Sequence, residues 1–223
     1  MILCIENLLA ADTLKTIVSS LKTAEFVAGK TTAGWHASLV KHNTQLKGND
    51  AAAQAVRATV IQALQKNALF QMAVRPKTIR VPIFSRYEAG MSYGTHVDNA
   101  IMGDTPAMRA DVSLTLFLNS PSAYEGGELV IEDTQGVQPF KLAAGAAIIY
   151  PSTTLHRVEP VTQGVRMAAV TWVQSLVRDT GDREILFDLD TARQAMFESY
   201  GKTPEFDLIS KSHANLLRKW AEL

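Results

Sequence analysis

Leu114-Thr115-Leu116-Phe117-Leu118-Asn119 decides the fold class. Leucine takes every second position, and alternate side chains of a β-strand share a face. The same period recurs on either side. Ile79, Val81 and Ile83 alternate with Arg80 and Pro82, and Leu129 and Ile131 alternate with Val130 and Glu132. Residues 146–150, 155–161 and 165–173 also read as strands. Gly126-Gly127, Gly136, Gly145 and Gly164 punctuate them, the glycine pair most simply as a turn. Many short strands separated by turn residues predict a sandwich or jelly roll over about 76 to 176.

Outward from this zone the period changes to that of helix. Leu14, Ile17, Val18 and Leu21 follow helical spacing, with Asp12 as the expected N-cap. A second helix is expected from Asp50, with Val56, Val60 and Leu64 on one face. Beyond 178, Ile185, Leu189, Ala192 and Met196 form a stripe, and Gly201 is the expected stop. Thr203-Pro204 then gives an N-cap followed by proline at the first helical position. Ile209, His213, Leu216 and Trp220 form the last stripe. The reading is an α+β chain: an N-terminal mainly helical segment (1–77), a jelly-roll domain (78–176) and a C-terminal helical appendage (177–223).

Composition narrows the class of function. Of 223 residues, 47% are hydrophobic and 20% charged, which suits a globular protein with a real core. The 22 basic and 22 acidic residues cancel, so no chain-wide basic field is available for a nucleic acid or an anionic membrane. The single cysteine, Cys4, rules out an intramolecular disulfide and a Cys-rich zinc site; it reads as a small buried hydrophobe. No apolar run reaches membrane-spanning length, and the N-terminus lacks a basic signal region. A cytoplasmic protein is expected. The helical stripes leave self-association open.

The residues with chemistry lie in the β zone. In Tyr93-Gly94-Thr95-His96-Val97-Asp98-Asn99, His96 and Asp98 stand two apart, so on a strand both side chains converge on one point. His156 falls on a later strand. Two histidines and a carboxylate form a facial triad, which suits Fe(II) and leaves coordination positions open. Zinc fits less well, because no fourth protein ligand or general base is evident. Arg166 adds a further feature. If Thr162-Gln163-Gly164 is a three-residue hairpin loop, Val161 pairs with Val165 and Arg166 falls opposite Pro160, on the face of His156. Arg166 then lies four strand positions from His156, roughly 13 Å along the backbone. A guanidinium there suits the far carboxylate of a short dicarboxylate, because it binds both oxygens in a fork.

These segments carry a resemblance. Residues 86–100 (Arg86-Tyr87-Glu88-Ala89-Gly90 through His96-Val97-Asp98-Asn99-Ala100), Glu125-Gly126-Gly127-Glu128-Leu129, Leu155-His156-Arg157-Val158-Glu159-Pro160-Val161 and Gly164-Val165-Arg166 resemble the Fe(II)- and 2-oxoglutarate-dependent dioxygenases of the prolyl hydroxylase-like group. More narrowly they are similar to the bacterial PKHD-type hydroxylases, often labelled iron-uptake factors. The resemblance implies a double-stranded β-helix with His96, Asp98 and His156 holding Fe(2+) and Arg166 binding the C5 carboxylate of 2-oxoglutarate. It also implies O2 as co-reactant, succinate and carbon dioxide as by-products, L-ascorbate dependence, and hydroxylation of an unactivated carbon. Animal prolyl hydroxylases carry a tyrosine near Phe117, which has no hydroxyl; Thr115 or Tyr150 is a candidate donor in its place. Tyr87 and Tyr93 are candidate pocket residues without assigned roles.

Two rival readings stay open at this point: a non-catalytic metal-binding jelly-roll sensor, and a zinc hydrolase that would not need Arg166. The remaining chemistry-bearing residues have plain structural readings. His36 and His42 read as loop or surface residues, and His213 as packed on a helical stripe. Trp35, Trp172 and Trp220 read as core or helix-packing residues, with Trp172 on the inward face of Arg166. The primary substrate is not legible: an amino-acid residue in a protein, a free amino acid and an iron-chelating metabolite all stay open, and residues 99–108 and 31–50 are expected to select among them.

Overall fold

The computed structural model describes residues 1–48, 51–103, 106–134 and 136–223. Two antiparallel sheets face each other. The larger runs β1 (Leu3–Ile5), β14 (Ala147–Pro151), β10 (Val112–Phe117), β17 (Arg166–Ser175), β6 (Ile83–Tyr87), β4 (Thr44–Leu46) and β2 (Phe26–Ala28), with β5 (Pro76–Ile79) pairing on β17. The smaller runs β13 (Gly136–Phe140), β12 (Leu129–Asp133), β15 (Leu155–Val158), β7 (Ser92–His96) and β3 (Lys41–His42). Two short pairs complete the strands: β8 (Ile101–Met102) with β9 (Met108–Arg109), and β11 (Tyr124–Gly126) with β16 (Val161–Gly164). This is the jelly-roll core expected from the period-two segments.

The larger sheet is buried on both faces, and the sequence period explains how. From β10 and its end, Leu114, Leu116 and Leu118 join Ile149 of β14 and Val173 of β17 in a cluster on the outer face. Three helices cover that face: α1 (Ala11–Thr23), α2 (Ala51–Lys66) and α3 (Ala68–Val74). They contribute Ile17 and Leu21, then Val56, Val60 and Leu64, then Phe70 and Val74. Each such fully buried Leu or Phe contributes roughly 1.5–3 kcal/mol relative to exposure. The intervening residues point between the sheets, where Phe117, Ile148 and Tyr150 meet Leu129, Ile131 and Val158. The inner face of the larger sheet is thus free to carry polar groups into the sandwich.

The helical tail consists of α4 (Thr180–Tyr200) and α5 (Pro204–Trp220). Thr203 caps α5 as expected, accepting from the Phe206 N–H, and Gly201 ends α4 at φ 70°. A buried polar knot ties the tail to α3. Arg75 donates to His213 Nε2 at 2.8 Å and approaches Asp190 at 3.4 Å; Asp190 also holds Arg193 at 2.7 Å. Burial and then Arg75 hold His213 below its ordinary pKa, so it serves as the neutral acceptor. His213 is packed, as read from the stripe.

Several local expectations are corrected. α1 has Ala10 at its N-cap position without a side-chain bond, and Asp12 lies inside the first turn, where a carboxylate favours the helix dipole. The expected start of α2 at Asp50 lies outside the described residues. On α4, Ile185 and Ala192 are exposed, and the buried positions are Arg183, Leu186 and Asp190. Counting apolar residues alone misphases this helix, because Arg183 is buried while donating to the carbonyls of Val177 and Arg178, both at 2.8 Å. Cys4 is exposed, since β1 is an edge strand whose buried residue is Ile5. Trp35 is 85% exposed and packs no core. Val81 is also exposed, because the strand run breaks at Pro82 into β5 and β6. His36 and His42 are exposed, as expected.

Candidate active site

The triad assembles where two strands of the smaller sheet pair. His96, the last residue of β7, is the register partner of His156 on β15. Asp98 follows two residues on, beyond the strand end, yet still turns to the same point. One ligand atom from each of His96, Asp98 and His156 lies within 4.8 Å of the others, and among the described residues they form the one group of three such side chains. All three side chains are nearly buried.

Hydrogen bonds fix which atoms face inward. The Nδ1 of His96 lies 2.8 Å from the Gly94 carbonyl, and that of His156 lies 3.2 Å from the Thr154 carbonyl. A carbonyl only accepts, so both Nδ1 atoms carry hydrogen and both Nε2 atoms are the ones left to face the common point. Burial, then His156, pushes His96 below its ordinary pKa, which keeps the ring neutral. His156 Nε2 stands 3.8 Å from Asp98 Oδ2. Ser113 donates to the same oxygen at 2.6 Å and is itself paired with Ser152 at 2.8 Å. Two imidazole nitrogens and a carboxylate oxygen turned to one point are a donor set that a cation would hold together. Backbone acceptors behind each imidazole and a hydroxyl behind the carboxylate are the supports such a cation site uses.

Arg166 reaches this cavity by a route the sequence did not show. Residues 161–164 do not form a hairpin loop; they are β16, paired with β11. The chain then changes sheet at Val165, and Arg166 begins β17 between β10 and β6, in register with Tyr87. His156 and Arg166 therefore face each other from opposite sheets and are not neighbours on one hairpin. Period two fixes which way a side chain points but not which sheet its strand enters. The inward direction expected for Arg166 holds: it is 1% exposed and lines the cavity. Gly164 permits the sheet change. Its φ is 77°, and a Cβ there would lie 2.4 Å from the Ala123 carbonyl oxygen. Gly127 makes room for the aliphatic stem of Arg166, since a Cβ would lie 3.1 Å from its Cδ.

Arg166 stands over the rings of Tyr87 (5.1 Å) and Phe117 (5.5 Å). Among the described residues no carboxylate pairs with it, and its buried Nε has no partner. The Tyr124 hydroxyl and the Asn43 amide are also buried without a well-aligned hydrogen bond, with Tyr124 beside Arg166 and Asn43 beside Tyr87. Burial raises the pKa of Tyr124 and Tyr87, with Arg166 opposing in each case. An unpaired buried cation costs several kcal/mol, so this end of the cavity is built for an anion from outside the chain. Thr115 and Tyr150, the donors expected to replace the missing hydroxyl at Phe117, are buried and line the same cavity. Sequence reading missed Tyr124, Asn43 and Lys41. Asn43 and Lys41 sit at or beside strands of two or three residues, too short for any period to show.

The cavity between the sheets has a volume of about 550 Å³, within the range of small-molecule sites. Its walls include the triad, Arg166, Tyr87 and Tyr93, as well as Trp172, which is half-buried. Tyr93 stacks on His96 with centroids 3.6 Å apart.

A jelly roll that gathers two histidines, a carboxylate and a facing buried arginine defines the class of the 2-oxoglutarate-Fe(II) oxygenases, and residues 82–174 match the 2OG-Fe(II) oxygenase superfamily. Residues 180–222 match the PKHD-type hydroxylase C-terminal domain. The chain is 60% identical over 222 residues to a PKHD-type hydroxylase of Acaryochloris marina, and 61% identical over 222 residues to one of Gloeothece citriformis. Both alignments cover 100% of each chain. The protein belongs to the PKHD-type hydroxylase family. A solved Pseudomonas putida prolyl-4-hydroxylase shares the fold, with a TM-score of 0.56 at 18% identity over 78% of this chain and 92% of that one. The family implies Fe(2+) and 2-oxoglutarate, and the donor set fits both: imidazole and carboxylate suit ferrous iron, and an unpaired buried arginine suits a dicarboxylate. No helix among the described residues is long and apolar enough to cross a membrane.

Proposed function

We propose that His96, Asp98 and His156 hold Fe(II), that Arg166 grips the C5 carboxylate of 2-oxoglutarate, and that the protein hydroxylates an unactivated carbon of a substrate bound in the remaining cavity. The observation that carries this reading is the buried, unpaired Arg166 facing the triad from the opposite sheet. A zinc hydrolase has no use for it. When bound, Fe(II) supplies the redox centre at which O2 is reduced while 2-oxoglutarate becomes succinate and carbon dioxide. The chain's own residues do the rest. Gly94 and Thr154 orient the two imidazoles, and Ser113 orients the carboxylate. Arg166 sets the direction of the cosubstrate, and the buried walls exclude water. L-ascorbate dependence and a link to iron uptake rest on the family resemblance alone.

The test is anaerobic. Fe(II) and 2-oxoglutarate are added to metal-free protein, and the expected result is the visible charge-transfer band of an iron-chelated 2-oxo acid. Tight Fe(II) binding without the band would favour the sensor reading; no Fe(II) binding would sink the triad. Ser113→Ala removes the hydroxyl that holds Asp98 Oδ2 at 2.6 Å. It is expected to weaken Fe(II) binding about 10- to 100-fold while leaving the band intact at saturating metal. Competition against a metal-sensitive chelator measures this.

A further inference from the structure

The cosubstrate and the metal leave a charge in the cavity unanswered. Among the described residues, three basic side chains line it, Lys41, Arg80 and Arg166, against one carboxylate, Asp98. On the reading above, Arg166 takes one end of 2-oxoglutarate, the metal takes the other, and Asp98 is committed to the metal. Among the described residues, Lys41 and Arg80 then have no anion. Among the described residues neither takes part in an ion pair.

Lys41 is the more telling of the two, because it is 6% exposed. It lies on β3, the edge strand beyond β7, in register with Tyr93. Its Nζ donates to Thr32 Oγ1 at 3.0 Å and stands 5.0 Å from the centre of the Tyr93 ring. An ammonium has three donors, so one hydroxyl leaves two unused. Burial pulls the Lys41 pKa down to about 8, with Asp98 opposing. A neutral substrate group would leave that burial uncompensated. Lys41 and its partner Thr32 both come from the N-terminal segment, outside the 82–174 match to the wider oxygenase superfamily. Thr31, Gly34 and Ala37 from the same segment also line the cavity. The N-terminal segment thus supplies one wall of the cavity, facing the triad with side chains of its own.

We propose that Lys41 binds an oxyanion, foremost a carboxylate, of the primary substrate, so that the enzyme acts on a small anionic metabolite. This rests on the oxygenase reading of the same cavity. The probes are acetate and inorganic phosphate, with acetamide as the neutral match for acetate. Protein is loaded with Mn(II), which is redox-silent and paramagnetic, and with saturating 2-oxoglutarate. Relaxation of the acetate methyl protons and of the phosphate 31P reports residence near the metal. Wild type is expected to relax acetate about tenfold more than acetamide, the size of one charge-assisted hydrogen bond. Lys41→Met is expected to lose that preference and Lys41→Arg to restore part of it.

Relaxation of phosphate in place of acetate would keep the oxyanion but make the substrate a phosphate ester, overturning the carboxylate assignment. Equal relaxation of acetate in wild type and Lys41→Met, or none in wild type, would overturn the proposal outright. The charge-transfer band with Fe(II) separates the two levels of failure. If wild type lacks the band, the oxygenase reading itself fails. If Lys41→Met keeps the band at unchanged 2-oxoglutarate affinity, the variant is folded and its relaxation result bears on Lys41 alone. A rise in 2-oxoglutarate requirement in Lys41→Met would make Lys41 a cosubstrate anchor and overturn the substrate assignment.

Discussion

His156→Ala is expected to abolish both the charge-transfer band and 2-oxoglutarate turnover while leaving the protein folded. The three candidate ligands converge within 4.8 Å, and removing one leaves a histidine and a carboxylate that cannot define a facial site. Partners behind a metal ligand are typically worth about 10- to 100-fold, so loss of the ligand itself should cost at least about 1,000-fold in turnover. Stability of the metal-free protein should change little, unlike a core truncation. His156 Nε2 stands 3.8 Å from Asp98 Oδ2, beyond hydrogen-bond reach, so little direct attraction is lost with the ring. Metal-free wild type and variant should therefore melt within a few degrees of each other, and only wild type should gain stability when Fe(II) is added. Thermal melts with and without Fe(II), beside anaerobic spectra, check this. A variant that kept the band would remove His156 from the metal site.

The sequence made some of this visible and hid the rest for identifiable reasons. Strand β10 was legible because it is buried on both faces, which forces leucine at one parity and Phe117, Thr115 and Ser113 at the other. His96 and Asp98 were legible because a spacing of two survives the strand end at His96. His156 could be placed on a strand, but its pairing with His96 is a contact between residues sixty apart that no local period encodes. The hairpin derived for Arg166 failed for the same reason. The inward direction came from parity, whereas the sheet change at Val165 depends on Gly126, Gly127 and Gly164, whose tight approaches are made to residues distant in sequence. On α4 the buried positions Arg183 and Asp190 are polar, so an apolar stripe pointed to the wrong face. Their burial is tolerated because each is hydrogen-bonded. Lys41 and Asn43 belong to the same class of hidden residue: polar, buried and placed by short strands.

Arg166→Met is the second large expected effect, and its sign depends on the ligand. In the absence of 2-oxoglutarate the guanidinium is buried, 1% exposed, and unpaired among the described residues. Methionine has a similar apolar stem and no charge to desolvate, so the ligand-free variant should be no less stable than wild type. With 2-oxoglutarate and metal present the order reverses. Cutting one partner from a buried, hydrogen-bonded charge pair typically costs about 2–5 kcal/mol, so the cosubstrate requirement should rise on the order of 100-fold. At a ligand concentration of about 100 times its Kd, wild type should gain about 2.7 kcal/mol, roughly 5–10 °C in a protein of this size, and the variant almost none. Arg166→Lys keeps the charge but loses the planar fork, and should fall between the two. The crossing of the two melting curves with added 2-oxoglutarate distinguishes an anchoring arginine from a merely structural one. A structural Arg166 would destabilise the ligand-free protein when replaced and would leave the 2-oxoglutarate requirement where it was.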